Sequence, residues 1–147
     1  MSSRIESSFA NQAIMATLGA TLERVAPGEV DIALAVRPEL CQQHGYLHAG
    51  VLATIADSAC GYAALTLMPD DAAVLSVEFK INLLRPASGD RVVARARVIK
   101  PGRTLAVCRA DVFAFIARSD GAGDPDETLV ATMTGTMMTV RGRGIAD

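Results

Sequence analysis

From Leu40 to Pro69 the chain carries a single residue with a formal charge at neutral pH, Asp57, inside an apolar stretch of small residues running from Ala49 to Met68. A helix of that composition is apolar on every side and must be enclosed by other layers of structure. An unpaired ionised carboxylate in such surroundings is costly, so Asp57 is either satisfied locally, by Thr54 or nearby backbone, or kept for chemistry with a partner elsewhere. The stretch is about twenty residues, long enough on paper to cross a bilayer. Its Ala, Gly, Ser and Thr content, the acid at its centre and the alternating patterns around it argue against a membrane span.

The rest of the composition narrows the class of partner. Fourteen basic and sixteen acidic residues give a net charge of −2 with no basic stripe, which excludes a nucleic-acid backbone as the expected ligand and favours a small molecule. With 147 residues, half of them hydrophobic, one domain over residues 1–147 is expected. Cys41, Cys60 and Cys108 are odd in number and unpaired in spacing, so neither a disulfide framework nor a zinc site is expected. His44 and His48 are spaced i, i+4, but Gly45 breaks the turn between them and no third ligand is near, so no metal is expected. The opening residues MSSRIESSFANQ lack the apolar core of a signal peptide, and the cytoplasm is the expected location.

Periodicity sets out the elements. Ile5, Phe9, Ala13 and Leu18 recur at helical spacing, with Gly19 as the stop. After the Pro27-Gly28 turn, Val30 to Val36 alternates as a strand, and residues 41–47 form a polar loop that leads into the central helix. Val74 to Leu84 is the cleanest alternating strand. Short links at 86–90 and 100–103 join it to strands over 91–99 and 104–117, which predicts a three-strand meander. The segment SDGAGDPD over 119–126 reads as a loop, Thr128 to Val140 as a last strand, and RGRGIAD as a frayed tail. The fold class is therefore α+β: a long central helix covered on one side by an antiparallel sheet, its other side awaiting a second copy of the chain.

His48 and Asp57 are nine residues apart, which on a helix is about 180° in azimuth and roughly 13 Å in rise. Within one chain they should not meet; two antiparallel copies of the helix about a two-fold axis can bring Asp57 of one to the helix N-terminus of the other. Free N–H groups at that terminus suit a developing oxyanion, and a facing carboxylate can attack or activate water. That is the minimum for hydrolysing an activated acyl group.

The residues Gln42, Gly45, His48, Gly50 and Asp57, with SVEFKINLLRPASGD and VIKPGRT downstream, resemble the hot dog-fold acyl-CoA thioesterases of the phenylacetate-degradation type. The resemblance implies a hot dog fold, a homodimer at minimum and a homotetramer of paired dimers. It also implies hydrolysis of acyl-CoA thioesters without a metal or added cofactor, coenzyme A being part of the substrate. It assigns Asp57 as nucleophile or general base and the backbone N–H of Ala49 as the carbonyl-polarising donor. Gln42 then lies beside the thioester, Ser76 holds the hydrolytic water, and His48 orients the loop and helix start. The family usually has glycine where this chain has Ala49, and some relatives carry a hydroxyl where it has Gly61. Gly50 and Tyr46 are placed at the substrate cleft. Lys100 and Arg103 serve either as contacts for coenzyme A phosphates or as solvated turn charges, and Arg85 has the same two readings. A non-catalytic acyl-CoA sensor on the same fold is the alternative function.

Overall fold

The structure is a computed structural model that describes residues 2–117 and 124–145. It opens with two helices where periodicity predicts one, α1 (Ser2–Asn11) and α2 (Ala13–Leu18), separated at Gln12, whose backbone is extended. Gly19 then stops α2 at φ 69°, a left-handed cap that a side chain would strain. A hairpin follows about Pro27 and Gly28, from β1 (Thr21–Ala26) to β2 (Glu29–Ala35). Strand β1 was not legible in the sequence, because TLERVA buries little of itself and barely alternates.

The charge-poor run forms α3 (Ala49–Leu65), followed by β3 (Ala73–Leu83), β4 (Arg91–Lys100), β5 (Leu105–Ile116) and β6 (Asp126–Val140). The six strands form one antiparallel sheet in the order β1-β2-β4-β5-β6-β3. This corrects the predicted meander, since β3 does not pair with β4. It lies on β6 instead, with Phe79 opposite Gly135 and Ile81 opposite Met133. The meander is β4-β5-β6. Alternation tells which face a residue takes but not which strand lies beside it, and the link after β3 is no hairpin. Its first N–H groups, of Leu84 and Arg85, bond to Val130 O, and Ala87 O then accepts from Leu47 N–H, so the link runs past the loop that precedes α3.

The sheet wraps α3. Ile55, Ala56, Ala59, Cys60 and Ala63 are fully buried, and the alanines let the strands approach the helix closely. Part of the expected cover from a second copy comes from this chain itself. Ile5 and Met15 are buried in the same core, and the Phe9 ring packs on Tyr62 at 5.9 Å between centroids. Strand β3 is the exception. It is an edge strand whose Leu75, Val77 and Phe79 remain 47, 53 and 43 % exposed, although alternation predicts a half-buried strand. At the C-terminus, Arg141 is tied to Asp71 at 2.6 Å, so the tail is fastened at its first residue. Most of the predicted 119–126 loop lies outside the described residues.

Candidate active site

The loop before α3 is held by its own backbone. Gln42 N–H donates to Tyr46 O at 2.8 Å and Gly45 N–H to Gln42 O at 2.9 Å, with Gly45 at φ 83°, where only glycine turns without strain. This delivers His48 to the N-cap of α3, where Nδ1 accepts from Gly50 N–H at 2.9 Å. An accepting Nδ1 leaves the ring proton of the neutral imidazole on Nε2. Gly50 is what permits the ring to fold back, since a Cβ there would lie 3.0 Å from His48 Nδ1. The cap satisfies Gly50 N–H, and no hydrogen-bond acceptor meets Ala49 N–H among the described residues. The first helical donor is thus open where the helix dipole is positive.

Ala49 borders a cavity of about 570 Å³ whose lining also includes Gln42, Tyr46, His48, Leu52 and Arg85. The Gln42 side-chain Oε1 accepts from His44 N–H, which fixes the side chain within the loop. Arg85 donates to Leu129 O at 3.0 Å, holding its guanidinium at the cavity wall.

Two turns further along α3, Asp57 is half-buried and accepts a 2.6 Å hydrogen bond on Oδ1 from Ser76 Oγ of β3. The local alternative for this acid is not what the structure shows, because Thr54 Oγ1 donates instead to Gly50 O at 2.7 Å. Ser76 also reaches Met137 Sδ at 3.4 Å. Asp57 and Ser76 line a smaller chamber of about 110 Å³ with Gln12, Ser58, Gly61, Tyr62 and Val74. A Cβ on Gly61 would have only Val74 Cγ1 near it, at 3.9 Å, so the missing side chain leaves this chamber open.

The two cavities share no lining residue. One chain therefore brings Gln42, Tyr46, His48 and Ala49 together, and Asp57 with Ser76, but not the two groups to each other. Lys100 and Arg103 border neither cavity; they lie at the turn between β4 and β5. Sequence reasoning did not find Gln12, which reaches the acid's chamber from the break between α1 and α2. No spacing signals it. Cys60, three residues after Asp57, is fully buried and borders neither cavity, and its contact with Cys108 and its burial raise the thiol above the usual range. No described helix is long and apolar enough to cross a membrane.

An open helix-terminal donor and a carboxylate with one oxygen held by a hydroxyl and the other available make an arrangement suited to acyl transfer to water. Comparison with known proteins gives the same direction. Residues 44–115 match the thioesterase superfamily. A crystal structure of a thioesterase family protein from Silicibacter pomeroyi is 50% identical and superposes with a TM-score of 0.89 over 96% of this chain and 98% of that one. Human acyl-coenzyme A thioesterase 13 is 36% identical over 93 residues, 63% of this chain and 66% of that protein. The E. coli PaaI protein from the phenylacetic acid degradation operon, 22% identical, shares the fold, with a TM-score of 0.79 over 95% of this chain and 93% of its own.

Proposed function

Starting from a chain that belongs to the thioesterase superfamily, as a hot dog-fold member of the PaaI-like kind that hydrolyses thioesters, we propose that its substrates are acyl-CoA thioesters and that each active site is built from two copies of the chain. The observation that carries this reading is the division of the machinery. The donor, Ala49 N–H, and the acid, Asp57, lie on one helix but border separate cavities. A second copy related by a two-fold axis joins one cavity of each chain to the other cavity of its partner, giving two sites per pair. The exposed apolar residues on the β3 edge support such pairing, because an unpaired strand edge of that kind is a template for another strand. Association of two pairs into a tetramer is part of the same reading, and light scattering measures it.

In that site the thioester oxygen sits against Ala49 N–H, which strengthens as a donor while charge builds on the oxygen. Ser76 holds Asp57 Oδ1, leaving Oδ2 to attack the carbonyl carbon or to take a proton from the attacking water. As the tetrahedral intermediate collapses the carbon–sulfur bond breaks and coenzyme A leaves as its thiolate; attack by water gives the free acid directly, and attack by Oδ2 gives an acyl-aspartyl anhydride that water then hydrolyses. Gln42 donates from its free amide nitrogen beside the thioester, and His48 keeps the helix start in place. Gly50 leaves room for the His48 ring beside the cleft, and Tyr46 forms the cleft edge. Lys100 and Arg103, at the turn beyond β4, meet the coenzyme A phosphates from the partner's side, where Arg presents a fork that matches phosphate oxygens. No metal or further cofactor takes part in this scheme.

Mixing two inactive variants tests the division. A heterodimer of Ala49→Pro with Asp57→Asn holds one site lacking both groups and one site intact. Random re-pairing of equal amounts should then restore about one quarter of wild-type turnover, half of the pairs being mixed and each having one good site of two. Recovery no higher than the two variants show separately would mean that donor and acid work within one chain.

A further inference from the structure

The chamber beside Asp57 is more polar than a room for a plain hydrocarbon should be. Ser58 is 8% exposed, and its hydroxyl has no hydrogen-bond partner among the described residues. Helical hydroxyls usually bond back to the carbonyl four residues earlier, as Thr17 does to Ala13 and Thr54 to Gly50 in this chain. Ser58 does not, and it lines the chamber instead. Facing the same space, Gln12 accepts on Oε1 from the Tyr62 hydroxyl at 3.3 Å, which leaves both N–H groups of its amide without an acceptor among the described residues. The Phe9 ring against Tyr62 holds that hydroxyl's position from behind.

Building on the function proposed above, we infer that this chamber receives the far end of the acyl group and selects short acyl groups that end in a hydrogen-bonding oxygen. The thioester carbon has three substituents. Its oxygen is directed to Ala49 N–H, and its sulfur leads to the larger cavity, whose Gln42 and Arg85 suit the amides and phosphates of the coenzyme arm. The acyl substituent is left on the side of Asp57. At about 30 Å³ per water, a space of about 110 Å³ takes roughly four non-hydrogen atoms. Ser58 and the Gln12 amide donate to an oxygen at its end, while Val74 supplies the apolar wall along the way. An acyl group ending in a methyl would displace water from both donors and return nothing, which is the situation in which sites discriminate best.

The test compares two thioesters of equal size, 4-hydroxybutyryl-CoA and pentanoyl-CoA, on the full-length protein and on the variants Ser58→Ala and Gln12→Met. Alanine favours the helix and methionine matches glutamine in length, and thermal melts confirm that each variant is folded. The wild type should show a kcat/KM ratio of at least about tenfold in favour of the hydroxylated substrate, and each variant should cut that ratio by about tenfold. A wild type that prefers pentanoyl-CoA, or variants that lower both substrates in parallel, would overturn the inference; a parallel fall would make Ser58 and Gln12 holders of the hydrolytic water. Failure of the wild type to hydrolyse any acyl-CoA would instead overturn the proposed function, and this inference with it.

Discussion

Replacing Ala49 with proline removes a single hydrogen-bond donor and little else. Ala49 is the first residue of α3, where proline is at home, its fixed φ matching the helix and its missing N–H belonging to a group with no partner inside the helix. The residue before it, His48, is already at φ −63° and ψ 138°, the extended region that proline imposes on its predecessor. The His48 cap on Gly50 N–H is untouched. Stability should therefore hold or rise by about 0.4–1 kcal/mol through the stiffer unfolded chain. Loss of one preorganised oxyanion donor is worth about 2.7–4 kcal/mol of transition-state stabilisation, so kcat should fall by roughly 100- to 1000-fold. The assay is thiol release from an acyl-CoA, read beside a thermal melt and a molecular-mass measurement. Ala49→Val, similar in bulk but keeping the N–H, separates the donor from crowding and should lose far less. A folded, correctly assembled Ala49→Pro protein within tenfold of wild-type turnover would refute the role given to this N–H group.

Other perturbations reach the remaining parts. Asp57→Asn should fold normally and lose most turnover, and label found in the carboxylate of the intact enzyme after single-turnover hydrolysis in isotope-labelled water would mark it as a nucleophile. Ser76→Ala deletes the 2.6 Å bond to the carboxylate, an interaction with a charged group worth about 1.5–3 kcal/mol, and should slow turnover by about ten- to a hundredfold without lowering the melting temperature to match. Phe79→Glu on the open edge should leave a folded chain of monomer mass by light scattering, with little activity. Burial holds the Asp31 carboxyl above the ordinary aspartate range despite Arg24 and Arg95 nearby. Its ionisation therefore opposes folding: the penalty is absent below the unfolded pKa and complete above the folded one. Asp31→Asn should raise the melting temperature near neutral pH and lose that advantage in acid.

The parts of this protein that follow from local rules could be read from its residues. A helix with a single charge must be enclosed, and the nine-residue interval from His48 to Asp57 separates the two by angle and rise, so that they border separate cavities. Ser76 was reached only through the context SVEF of the family, yet it is the residue that meets the acid. Non-local features were out of reach. Alternation in β3 marks two faces without saying that one neighbour is missing, so the strand looks interior and is an edge. Gln12 carries no pattern at all, because its importance arises from a helix break that brings it over Tyr62, fifty positions away in sequence. Lys100 and Arg103 read equally as coenzyme contacts and as solvated turn charges, and they border neither cavity of the single chain.

Strand β3 supplies Ser76 near its start and Leu83, a wall of the larger cavity, at its end. If two such strands meet antiparallel, every substitution along them is made twice, once near each acid and once near each cavity of the other copy. That symmetry makes the strand hard to vary piecemeal, since a change that suits one end is felt at the other. Gln12 has no such burden. Sitting on a peripheral break and touching only the small chamber, it is the position through which substrate preference can drift in descent while the chemistry stays fixed.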